Sequence, residues 1–268
     1  VMSTDRRSPV RSQDLGLEDQ KDFTMLKRSS ASFRAFWPIA LLATAGLGML
    51  AALAGFGGRA FAEEPGRRLP DAAVTLKEKS GLRTAVFAGG CFWGVQGVFQ
   101  HVRGVTEALS GYAGGSRDTA SYQAVGSGRT GHAEAVRITY DPSLIRYDEL
   151  LTIFFSVALD PTQVNRQGPD SGTQYRSAIF VSDAEQARVA RAYVAQLNVA
   201  QAYAKPIATK VECGAFYPAE AYHQDFMARN PRHSYIVAND APKLRDLQRY
   251  FPERTNAEPI LVGAQPPA

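Results

Sequence analysis

The sequence predicts an α+β sandwich, one sheet with helices packed mainly on one side. Short apolar runs of strand character, each about five to eight residues, alternate with segments of helical periodicity. The connections between them are uneven in length, which suits an open α+β arrangement better than a closed barrel. No internal repeat is visible.

The elements follow in chain order. Residues 84–88 form a short apolar run closed by Gly89-Gly90, a strand ending in a tight turn. Beyond Cys91, residues Phe92, Val95, Val98, Phe99 and Val102 recur at helical spacing. Residues 105–112 make a second strand, stopped by Gly114-Gly115. Residues 121–125 are a short helix or turn, and 126–131 a glycine-rich loop. Residues 133–140 are a strand ended by Asp141-Pro142, and 147–158 a helix with Leu150, Leu151, Phe154 and Phe155 on one face. Residues 160–173 hold Pro161, Gly168, Pro169 and Gly172 without periodicity; ordered loops of that length often carry function. A strand at 176–181 precedes Ser182-Asp183, which opens a helix to about residue 202 with an N-capping pattern. A strand at 207–212, a helical stretch at 218–229 and a last helix at 241–251 complete the domain.

This places one domain at 84–253, between a linker at 63–83 containing Pro65, Gly66 and Pro70 and a flexible tail at 254–268. Residues 1–62 are a leader. Its 24 uncharged residues, 35–58, follow Lys27, Arg28 and Arg34 and precede Ala60-Phe61-Ala62, the layout of a secretory signal peptide cut after Ala62. An uncleaved membrane anchor is the rival reading, since about 20 apolar residues cross a bilayer. Either makes the chain exported, periplasmic or anchored in the inner membrane. Met25 lies just ahead of Leu26-Lys27-Arg28, and a start there gives a signal peptide of ordinary proportions.

The leader holds eight Lys or Arg against five Asp or Glu, leaving 22 against 21 for the remainder. The net charge of +4 is therefore mostly the leader's, and the folded part gives no reason to expect nucleic-acid binding. Cys91 and Cys213 are too few for a disulfide framework and lack the short paired spacings of a zinc site.

Cys91 stands directly after a strand and two glycines, in the first turn of the expected helix. Unpaired amides and the positive end of the helix dipole favour a thiolate there. A free cysteine is more often a small core residue. The surrounding Gly-Gly-Cys-Phe-Trp-Gly tips the balance, because glycines admit close approach to the sulfur and Phe92 and Trp93 supply an apolar wall.

Gly90-Cys91-Phe92-Trp93-Gly94 resembles the active-site signature of the A class of peptide methionine sulfoxide reductases. Further segments agree in the same order: Gly111-Tyr112-Ala113-Gly114-Gly115, Gly131-His132-Ala133-Glu134-Ala135-Val136, Gly172-Thr173-Gln174-Tyr175-Arg176-Ser177, and Phe216-Tyr217-Pro218-Ala219-Glu220 followed by Tyr222-His223-Gln224. The similarity runs from about residue 84 to 253. It implies a two-layer α/β sandwich with a ferredoxin-like core and a mixed sheet. It also implies reduction of methionine S-sulfoxide, protein-bound or free, by a monomer in the repair of oxidised proteins.

The resemblance implies roles residue by residue. Cys91 attacks the sulfoxide sulfur and is left as a sulfenic acid. Glu134 donates a proton, and Tyr122 and Tyr175 hydrogen-bond to the oxygen; a carboxyl in a partly dry aromatic pocket keeps its proton near neutral pH. Phe92 and Trp93 hold the methyl group, and Asp170 orders the pocket or a water. No cofactor or metal is implied, only an external thiol of the thioredoxin type. Many relatives resolve the sulfenic acid with a cysteine near the carboxy terminus. Residues 235–243 have none, so either Cys213 resolves Cys91 or an external thiol acts directly. Two other functions stand beside this one: a cysteine amidase or hydrolase pairing Cys91 with His132 or His223, and a membrane-attached binding module without catalysis. A lone histidine is more often a packing residue, which leaves both histidines outside the catalytic set.

Overall fold

A computed structural model describes residues 66–263. The apolar segment 35–58, the site at Ala60-Phe61-Ala62 and the last five residues lie outside the described residues. The elements are β1 (Arg83–Gly89), α1 (Phe92–Gln100), β2 (Val105–Ala113), α2 (Tyr122–Val125), β3 (Ala133–Tyr140), α3 (Tyr147–Ile153), β4 (Arg166–Gln167), β5 (Asp170–Ser171), β6 (Ser177–Phe180), α4 (Ala184–Val199), β7 (Lys210–Glu212), β8 (Phe216–Pro218), α5 (Phe226–Arg229) and α6 (Ala241–Tyr250). Six strands form one sheet in the order β7-β6-β1-β3-β2-β8, and β4 pairs with β5 separately. Among the described strands only β6 and β7 run parallel. The succession β1-α1-β2-β3-α3-β6 is the ferredoxin-like core, its four strands antiparallel neighbours.

Strand alternation divides the side chains between two cores. On β3, Val136, Ile138 and Tyr140 face the large cluster beneath the helices with Phe87, Phe99, Phe154 and Leu150. The intervening Ala133 and Ala135 join a small cluster with Ala88, Ala113, Ala178 and Phe180. Glu134 shares the parity of Val136, so the fold carries a carboxyl into the helix-covered face.

The sheet curls. β7 and β8 are its two outer strands, yet residues 213–215 alone connect them. Five flat inter-strand spacings would be about 24 Å, whereas such a link reaches roughly 14 Å. The small cluster is built of five alanines and Phe180, and Gly214 rests on the Gly114 backbone, where a Cβ would lie 2.9 Å from Gly114 Cα.

Several expectations are corrected. Residues 218–229 are not one helix: β8 ends at Pro218, a single turn follows, and Asp225 at φ 58° breaks the path before α5. The break is held from outside, since the Asp225 N–H donates to Gln96 Oε1 at 2.9 Å and its carboxylate accepts from Gln100 at 2.7 Å. The loop at 160–173 contains the β4–β5 hairpin. The linker reading fails from Gly66 onward: Arg67 N–H donates to Ser156 O at 2.9 Å, Tyr193 to Pro70 O at 2.8 Å, and Glu78 accepts from Tyr140 and from the Tyr147 amide. The tail is likewise bonded as far as residue 262, through Asn256 N–H to His101 O, Ile260 N–H to Gln100 O and Val262 N–H to Asp225. Composition marked both segments as irregular, but backbone groups lacking partners of their own found them on the domain surface.

Candidate active site

Cys91 is the N-cap residue of α1, 9% exposed and unbonded to Cys213. The glycines around it make room for distant groups. Gly90 turns the chain at φ +86°, and a Cβ there would lie 2.3 Å from Gln167 Cβ. Gln167 in turn ties the long loop together, accepting from the Asp160 amide at 2.8 Å and donating to Asp160 O at 2.9 Å. Gly94 admits Asp240, whose Oδ1 would be 2.1 Å from a Cβ.

Glu134 lies beside the same turn, 3% exposed, its Oε2 accepting the Phe92 N–H at 3.0 Å. Burial pushes its pKa up to about 8, against the opposing Phe92 bond and with help from Asp170 and Asp240. The Cys91 thiol is also pushed up, chiefly by burial and then by Glu134 and Asp240, while the Trp93 N–H favours the thiolate. The sequence argument for a resting thiolate is thus corrected: the helix terminus is present, but desolvation and acidic neighbours outweigh it. Tyr122 and Tyr175 both lie within the electrostatic reach of Glu134 and Cys91, and burial raises both phenols, which keeps their hydroxyls protonated as donors.

Aromatic rings build the wall. Trp93 stacks on Phe226 with centroids 3.7 Å apart and 10° between planes, and its Nε1–H donates to His223 Nδ1 at 3.2 Å. Phe92 packs on His223 and Tyr112, and Tyr122 also packs on His223, with ring centroids 4.4 Å apart. Burial lowers the His223 pKa, so the ring is neutral and its Nδ1 is free to accept. Glu220 fixes the edge of the site, accepting from the Tyr112 hydroxyl at 2.7 Å and the Tyr122 amide at 2.9 Å.

Asp170 on β5 accepts a hydrogen bond from the Tyr235 hydroxyl. Asp240 is fully buried and pairs with Lys243 at 3.5 Å. Cys91, Glu134, Tyr122, Tyr175, Phe92, Trp93 and Asp170 therefore lie around one turn of the fold. Cys213 does not join them. It is exposed on the link from β7 to β8, and the groups acting on the Cys91 sulfur come from other segments. His132 is structural, accepting from Gly115 N–H at 3.2 Å and engaging Ser116 O at 2.9 Å. With His223 committed to Trp93, neither histidine serves Cys91 as a base, and the hydrolase reading loses its general base. Among the described residues, no group of three or more His, Cys, Asp or Glu could hold a metal.

Sequence reasoning missed His223, Phe226, Tyr235 and Asp240 as parts of the site. The Tyr222-His223-Gln224 segment signalled the first; nothing local signals Asp240.

Comparison with known proteins agrees with this arrangement. The family profile described as "Peptide methionine sulfoxide reductase" matches residues 83–255. The peptide methionine sulfoxide reductase MsrA 2 of Mesorhizobium japonicum is 58% identical over 187 residues, 69% of this chain and 96% of that protein. MsrA 2 of Synechocystis is 51% identical over 195 residues, covering 71% and 91%. Among solved structures, reduced Mxr1 of Saccharomyces cerevisiae superposes with a TM-score of 0.51 at 32% identity, covering 60% of this chain and 92% of that one. Methionine sulfoxide reductase A of Corynebacterium diphtheriae gives 0.50 at 33%, covering 64% and 87%.

Proposed function

The chain belongs to the A class of the peptide methionine sulfoxide reductase family and reduces methionine S-sulfoxide to methionine, and we propose that Cys91 is its nucleophile and Glu134 its proton donor. The observation that carries the assignment is a buried carboxyl, protonated near neutral pH, beside the N-cap cysteine. The Phe92 N–H occupies Oε2, which leaves Oε1 as the oxygen that carries the proton. Tyr122 and Tyr175 add neutral donors to the same space.

Attack of the Cys91 sulfur on the sulfoxide sulfur, with a proton passed from Glu134 to the oxygen, releases methionine and leaves a sulfenic acid. Glu134 acts on charge that develops as the S–O bond weakens, where a positioned donor has most effect. The methyl group lies against Trp93, held by Phe226 and His223, and Phe92 backs the pocket. An external dithiol of the thioredoxin type supplies the two electrons: its first thiol condenses with the Cys91 sulfenic acid to a mixed disulfide and water, and its second displaces Cys91 as the thiol, leaving the donor as a disulfide. Cys91 is buried at the head of α1 while Cys213 is exposed on the link from β7 to β8, which supports this over resolution by Cys213.

Export rests on the charged start, apolar run and Ala-x-Ala site of the leader. Mass spectrometry of the mature amino terminus tests it, with cleavage after Ala62 expected. The catalytic assignment is tested by reduction of an S-sulfoxide peptide with dithiothreitol: Cys91→Ser is expected to lose all turnover, and retained turnover would overturn the nucleophile.

A further inference from the structure

Asp240 is the fully buried end of a wide, π-type turn, Ile236–Asp240, that leads into α6. Such turns displace the residue they carry from a regular helical path. Here the displaced carboxylate is seated on the first turn of α1: a Cβ on Gly94 would lie 2.1 Å from Oδ1 and 2.7 Å from the carboxyl carbon. The charge thus meets the backbone three residues beyond Cys91. A buried carboxylate is costly unless paired, and Lys243, one turn along and itself nearly buried, stands 3.5 Å away.

We propose that Asp240 is a positioning residue for Cys91: its carboxylate, countered by Lys243, sits on the positive end of α1 and holds the cysteine as a thiol until substrate enters. The inference rests on Cys91 being the reacting group. A negative charge at the helix start cancels the help that the dipole gives to a thiolate. The groups facing Cys91 from the surrounding elements are Glu134 on β3, Asp170 on β5, Asp240 before α6, and the hydroxyls of Tyr122, Tyr175 and Tyr235. All are acidic or neutral. Glu134 keeps its proton near neutral pH, whereas Asp240 is ion-paired with Lys243. The consequence is a cysteine that resists oxidants and alkylating agents at rest, reacting once a sulfoxide brings a partly positive sulfur against it.

The test is alkylation of the full-length chain by iodoacetamide across pH, without substrate, read by mass on the tryptic fragment that contains Cys91. Asp240→Asn removes the charge and keeps the shape, and Asp240→Ser also relieves the contact with Gly94, so a folding failure in one leaves the other. Either is expected to alkylate Cys91 about tenfold faster at pH 7, with the midpoint moved to lower pH. Asp240→Glu, which keeps the charge, is expected to restore the slow rate. A folded Asp240→Asn or Asp240→Ser chain that alkylates at the wild-type rate at every pH would overturn the proposal. Undiminished sulfoxide turnover in Cys91→Ser would sink the nucleophile assignment instead, and the two failures are separate because alkylation is read without turnover.

Discussion

Glu134→Gln exchanges the buried carboxyl for a neutral group of the same shape that can still accept the Phe92 N–H. In the folded chain the carboxyl keeps its proton until about pH 8, whereas an unfolded glutamate releases it near 4.5. Between those values the folded state binds more protons, so its stability falls as pH rises. At 1.36 kcal/mol per pH unit, the cost relative to the protonated form is about 3 kcal/mol at pH 7 and on the order of 5 above pH 8. The carboxyl is 3% exposed, so solvent screening does not reduce the figure much. Glutamine supplies the neutral form at every pH. Urea unfolding of wild type and variant at pH 4.5, 7 and 8.5 is expected to show little difference at the lowest pH and a growing advantage for Glu134→Gln above it. Turnover should fall by about a hundredfold or more, the usual worth of a general acid. A stability gap that does not widen between pH 5 and 8 would refute the burial argument, whatever the activity does.

Wild-type turnover is expected to decline as pH rises through about 8, where Glu134 loses its proton, and a stopped-flow pH profile reads this. Phe226→Ala removes a stack of roughly 1 kcal/mol from Trp93 and should raise KM for a sulfoxide peptide about fivefold, with kcat less affected. Protonation of His223 sets a donor against Trp93 Nε1–H, so Trp93 fluorescence should change at a pH below the ordinary histidine range, a change absent from His223→Gln. Cys213→Ser should keep turnover with thioredoxin; its loss would restore Cys213 as the resolving thiol.

Local pattern made much of the fold legible. The alternation at 133–140 specifies β3 and, with it, the face that Glu134 occupies. The Ser182-Asp183 signal specifies the start of α4, where Asp183 accepts from the Gln186 amide at 2.8 Å. Where pattern failed, the deciding partner lay elsewhere. The stretch at 218–229 has helical spacing, but Gln96 and Gln100 of α1 take the backbone and side chain of Asp225 and force it into the left-handed region. The strand β8 is only three residues long, and its pairing with β2 rather than its own composition makes it a strand.

By itself the sequence determined the strand, the glycine turn and the cysteine at the head of a helix, because those depend on neighbours a few residues apart. It also determined the class of chemistry, through motifs whose residue types match it in order. Tertiary structure decided the state of that cysteine. Glu134 is brought to the Phe92 amide across 42 positions and His223 to Trp93 across 130, and Asp240 reaches Gly94 from the far end of the domain. Whether a carboxyl or thiol holds its proton depends on the water removed around it and on the charges left beside it. Both are properties of packing between distant segments, which residue spacing does not encode.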